Sequence, residues 1–133
     1  MNKSAVTMKR KSSASWRWLC ITLLATLVTA GSVFAHHGWS HYDASKTLNF
    51  TGVIRESSYS NPHGQIKLQV DDGKGKTWLV VLAPPARMSS RGLTKKMLKA
   101  GTTATVVGYP HKEKADEMRA EHITINGKTT QLR

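Results

Sequence analysis

At 133 residues the chain has room for one small domain and not for two. Its 20 Lys and Arg against 8 Asp and Glu, a formal net charge of +12, argue against cationic partners and favour anionic ones. The single cysteine, Cys20, excludes an internal disulfide and any zinc site built from several thiolates.

Residues 1–35 read as a secretory signal. Lys3, Lys9, Arg10, Lys11 and Arg17 form a basic start, and Leu19 to Val28 is an apolar stretch of ten residues. Val33-Phe34-Ala35 places small residues where a signal peptidase inspects them. The uncharged run from Trp18 to Ala35 is barely long enough for a membrane span, so a retained anchor is the competing reading. Cys20 follows Arg17-Trp18-Leu19, which lacks the small residue wanted before a lipidated cysteine. Cleavage after Ala35 predicts a periplasmic protein starting at His36, with no stable membrane insertion thereafter. Residues 36–133 then keep fifteen cations against eight acids, a net +7. The charges are spread along the chain, so a cationic surface that keeps the domain soluble competes with an anion-binding role.

The mature chain opens with His36-His37-Gly38-Trp39-Ser40-His41-Tyr42, half of the six histidines within six residues. Leu48, Phe50, Gly52 and Ile54 then share one face of a strand reaching about Tyr59, with Gly52 suggesting a bulge or bend. Asn61-Pro62-His63-Gly64 is a turn. Ile66, Leu68 and Val70 alternate with polar residues, the pattern of a half-buried strand. Asp72-Gly73-Lys74-Gly75 closes a hairpin into Trp78–Leu82, a strand apolar on both faces that Pro84-Pro85 stops. One short helix is expected near 94–99, with Thr94 as N-cap and Gly101 as its stop. Strands follow over 103–109 and 119–125. Asn126-Gly127 signals a tight hairpin to a last strand over 129–132. Strand, strand, strand, helix, strand, strand is the order of a five-stranded OB-like Greek-key barrel, an all-β fold with a small α element. An open antiparallel meander under the helix is the rival architecture.

The residues together resemble an uncharacterised family of small exported bacterial proteins, classed as a domain of unknown function. The marks are His-His directly after the signal, Tyr42-Asp43, Asn61-Pro62-His63, a Trp in the third strand, Arg91-Gly92-Leu93-Thr94, Leu98-Lys99-Ala100-Gly101 and Gly108-Tyr109. Gly38-Trp39 stands where a Ser-Phe pair is usual. The resemblance implies export and a single domain over nearly all of the mature chain. It implies no activity.

If His36 is the first residue, its α-amine and imidazole can chelate one metal ion, with His37 as a further donor. Such amines titrate near about 8 and imidazoles near about 6.5, so both offer lone pairs at neutral pH. A nitrogen-rich set suits Cu(II). His63 is the expected third ligand, within about 8 Å of the His36 or His37 ring so that side-chain rotation can close the gap. His41 is a further candidate. The competing readings are a frayed tail for His36 and His37 and a turn-stabilising bond for His63. The high-affinity copper motif with histidine third is absent, because the third residue is Gly38. Of the aromatic residues only Trp39 is expected beside a site, and Trp78 in the core. His111 and His122 receive no role. No nucleophile triad, phosphate loop or paired-carboxylate spacing is recognisable, so no enzymatic role is expected. The function expected is periplasmic, non-enzymatic copper handling. The alternative is a cationic OB-like module for an anionic or aromatic ligand, without metal. Nucleic acid is not the expected partner.

Overall fold

The computed structural model describes residues 38–133, and Gly38–Arg133 form one compact unit. The segment expected to be a signal, its expected cleavage point, His36 and His37 lie outside the described residues. Six strands follow in order: β1 (Leu48–Ser58), β2 (Gln65–Val70), β3 (Thr77–Val81), β4 (Thr103–Pro110), β5 (Glu117–Ile125) and β6 (Lys128–Gln131).

The sheet runs β3-β2-β1-β4-β5-β6, and an extra parallel pairing of β3 with β5 closes its first five strands into a barrel. Closure pairs Leu79 with Glu117, Val80 with Met118 and Val81 with Arg119. This is the OB-like arrangement the element order predicts, and closing the sheet removes the edges that an open meander would leave. The alternation read in β2 sorts as expected: Ile66, Leu68 and Val70 are buried and their neighbours face outward. With Ile54, Val80, Val106 and Ile123 they make a continuous core. β6 is an additional strand, hinged on Asn126-Gly127, both with positive φ as a two-residue hairpin turn requires.

Two local expectations need correcting. Of the bulge or bend suggested for Gly52, the bulge does not fall on that residue. It pairs in register with Val70 and Ala104, and the irregularity in β1 lies between Ile54 and Glu56. Gly52 is needed because a Cβ there would overlap the Gln69 carbonyl oxygen of the crossing strand.

The helix expected near 94–99 is a 3-10 turn, Lys95–Leu98. The α-helix of this connection is α1, Pro85–Ser90. Pro84-Pro85 ends β3 as read, but Pro85 also opens the helix, where its fixed φ fits and its missing N–H costs nothing. Thr94 occupies the cap position without a side-chain bond. Met88, Leu93 and Leu98 from this connection are fully buried and fill one end of the barrel.

Candidate functional site

His63 is held by its neighbours on both sides. Asn61-Pro62, joined by a cis peptide bond, ends the connection from β1. After it, Gly64 donates to the Ala83 carbonyl at 3.0 Å and accepts from Leu82 N–H at 2.8 Å. Gly64 is buried, and a Cβ on it would overlap the tip of the Met88 side chain, which would have to shift to make room. The imidazole is therefore carried on a loop that the residues directly after β3 clamp by two backbone bonds.

Arg119 of β5 meets that imidazole. One terminal nitrogen of its guanidinium donates to the Gly38 carbonyl at 2.6 Å, and the other lies 3.0 Å from His63 Nε2. A guanidinium has only donors, so Nε2 must accept and the His63 proton sits on Nδ1. Burial lowers the His63 pKa from its ordinary value, and the positive charges of Arg119 and Arg87 lower it further. The ring is thus neutral at pH 7, with its Nε2 lone pair engaged by a cation.

Arg119 is 8% exposed, and no carboxylate among the described residues lies within ion-pair distance of it. Aromatic faces take that place. Its guanidinium carbon is 4.4 Å from the Trp39 ring centre and 6.0 Å from that of Tyr42. Arg133 lies 5.0 Å from the same Trp39 ring. Trp39 meets Tyr42 and Tyr109 edge-on at 6.4 and 6.2 Å, so its position is fixed from several sides. Beyond them, Tyr42 donates to Glu117 Oε1 and Tyr109 to Glu121 Oε2, each at 2.8 Å. Burial, followed by the Glu117 carboxylate, pushes the Tyr42 pKa well above its ordinary value, so this hydroxyl keeps its proton.

The sequence-expected ligands separate here. His63 lies against the Arg119 guanidinium, on which Trp39 also packs. His41 belongs to another contact. It stacks on His111 with ring centres 5.9 Å apart and planes 5° from parallel. His111 Nδ1 accepts the backbone N–H groups of Glu113 and Lys114 at 3.1 Å each, so its neutral form carries the proton on Nε2. A metal-bound histidine ordinarily donates through its second nitrogen. His111 accepts there, which disfavours a His41–His111 metal pair. His122 lies on β5, opposite Val107 and Gln131. Among the described residues no three His, Cys, Asp or Glu side chains are grouped to hold a metal ion. Such a site therefore depends on His36 and His37.

Arg119 is the residue that sequence reasoning missed. The available signal was a charge at every second position of β5: Glu117, Arg119 and Glu121 alternate with Met118 and Ala120. β5 is paired on both sides, and there such a row marks charges packed under something.

No curated protein matches the chain. Among solved structures, the complex of TiaS with a tRNA and ATP is similar at 15% identity and a TM-score of 0.46, over 69% of this chain and 20% of that one. The chain thus spans about a fifth of that protein's length. The pattern of a family of unknown function, DUF6152, matches residues 24–119, and the chain belongs to that family.

Proposed function

We propose that the domain is a non-enzymatic metal-binding protein of the periplasm, with copper as the best-matched ion, chelated by His36, His37 and His63. The observation that carries this reading is the sharing of Arg119 by Gly38 and His63. Gly38 follows His37 directly in the chain. Its carbonyl and the His63 ring nitrogen sit on the two tips of one guanidinium, so the backbone leaving His37 is tethered at the His63 imidazole. The donor set is then the His36 amine and imidazole, the His37 imidazole and the His63 imidazole. All are nitrogens available at neutral pH, which favours Cu(II) among divalent ions.

His63 is suited to this task by being neutral, since a protonated imidazole offers no lone pair. Arg119 has to yield Nε2 when metal arrives, and its long stem allows that. The geometry supports His63 as a ligand more strongly than His41, which is engaged with His111.

The test begins with the intact mass of the exported protein, which must correspond to a chain starting at His36. Cu(II) titration is then expected to saturate at one ion per chain. Affinity should fall at least tenfold in His63→Ala, and likewise when a Met precedes His36. A mature chain that starts elsewhere, or affinity unchanged in His63→Ala, refutes the three-histidine site.

A further inference from the structure

The loop–helix connection between β3 and β4 has a one-sided charge. From Gly73 to Lys112 the sequence carries eight Lys and Arg and no Asp or Glu. The sequence spreads these charges over forty residues, but the fold gathers part of them. Met88, Leu93 and Leu98 turn inward to fill the barrel end, which leaves Arg87, Arg91, Lys95 and Lys96 exposed on the outer side.

β6 extends the same face. Arg91 donates to the Gln131 and Arg133 carbonyls at 2.7 and 2.9 Å, and Arg87 reaches the Leu132 carbonyl at 3.4 Å. Lys128 Nζ lies 2.8 Å from where a Cβ on Gly92 would be. Arg87 and Arg91 thus border the chain end after β6, Lys128 lies against Gly92, and Lys95 and Lys96 are exposed in the turn that follows. None of the five is paired with an Asp or Glu side chain among the described residues.

We infer that this face docks on an anionic lipid bilayer. It goes beyond the metal reading and stands without it. Holding five cations on and beside one connection with no Asp or Glu paired to them costs self-repulsion that a neighbouring anionic surface relieves. Two observations select a bilayer over nucleic acid. A sequence-tolerant nucleic-acid site interleaves its cations with exposed aromatic rings for base stacking. The aromatic residue here is Tyr59, which is half-buried with its hydroxyl 2.8 Å from the Leu93 carbonyl. Second, residues 1–35 read as a segment that carries the chain through a membrane, so a lipid surface is the polyanion an exported domain meets first. Flexible lysines on exposed stems suit a fluid headgroup layer, where each cation near the surface contributes about a fivefold gain in binding.

The test uses the exported, metal-free protein and vesicles of phosphatidylcholine with or without phosphatidylglycerol, read by co-sedimentation at low and physiological salt. Binding is expected only with phosphatidylglycerol, and weaker at the higher salt. Lys95→Gln/Lys96→Gln/Lys128→Gln removes three cations that hold no bond in the fold, and should weaken binding about a hundredfold. Lys46→Gln/Lys74→Gln/Lys76→Gln lowers the net charge equally at other places and should change binding less than about threefold. The inference is overturned if both triple variants lose equally, or if phosphatidylcholine alone is bound as well. Tighter binding of a single-stranded oligonucleotide than of the vesicles at the same salt also overturns it, in favour of a nucleic-acid face.

Discussion

Replacing Arg119 with lysine tests whether the fork, and not merely the charge, organises the site. The guanidinium makes two hydrogen bonds, from different nitrogens, to Gly38 O and His63 Nε2, while its carbon lies over the Trp39 ring. An ammonium is a compact point charge that cannot span both acceptors and stack at once. Lysine therefore forfeits one charge-assisted bond, about 1.5–3 kcal/mol, and part of a cation–π contact, about 0.5–1 kcal/mol. The cost of burying a charge without a carboxylate remains, so nothing offsets the loss. The expected destabilisation is about 2–4 kcal/mol, which for a domain of this size lowers Tm by roughly 10–20 °C. Thermal unfolding followed by circular dichroism reads the shift. Arg119→Met removes the charge together with the fork and should cost no more than lysine, because burial of the cation no longer has to be offset. The nitrogen chemical shifts of His63 give a second readout, since Nε2 loses its donor. A lysine variant within about 1 kcal/mol of wild type, with His63 shifts unchanged, refutes the reasoning.

Three further outcomes follow from the same geometry. The His63 pKa is lowered in the folded state, so His63 contributes stability that is complete above about 6.5, its unfolded value. That contribution is lost as pH falls through the lower folded value, and His63→Gln should flatten this acid limb in unfolding measured against pH. Gly108→Ala should destabilise by about 3 kcal/mol or more, seen as a fall in urea midpoint, because its Cβ would overlap the Arg119 carbonyl. Tyr42→Phe strands the 8%-exposed Glu117 without its hydroxyl donor and should cost about 1–3 kcal/mol.

The barrel was legible because its signals are local. Alternation in β2, the Asp72–Gly75 hairpin and Asn126-Gly127 each act within a few residues, and the strand order follows from them. The α-helix was hidden by Pro84-Pro85, since one dipeptide both stops a strand and starts a helix. The charged face was hidden for a different reason. Scattered along the sequence, its cations look like solvent exposure, and only the return of β6 brings Lys128 to Gly92. Arg119 was least legible, because its partners lie 81 and 56 residues away in the chain. No local rule specifies that a strand arginine meets a turn histidine. His63 could be singled out only as a residue type in a stiff turn, without knowledge of what faces it.

The closing register of the barrel explains why that meeting is fixed. Arg119 lies opposite Val81 of β3 on one side and Tyr109 of β4 on the other. The β4–β5 register shifts between Val107 and Gly108, and Gly108 lets the two backbones approach closely there. His63 reaches the same place through Gly64, which is bonded to Leu82 and Ala83 immediately after β3. Both halves of the contact are thus anchored at the C-terminal end of β3, one by the parallel pairing that closes the barrel and one by the loop that enters β2. Sliding β5 by one residue against β3 would turn Arg119 to the other face of the strand. It would release Gly38 and His63 together. The Arg119–His63 contact therefore reports barrel closure, and a tether for the segment after His37 exists only once β3 and β5 have paired.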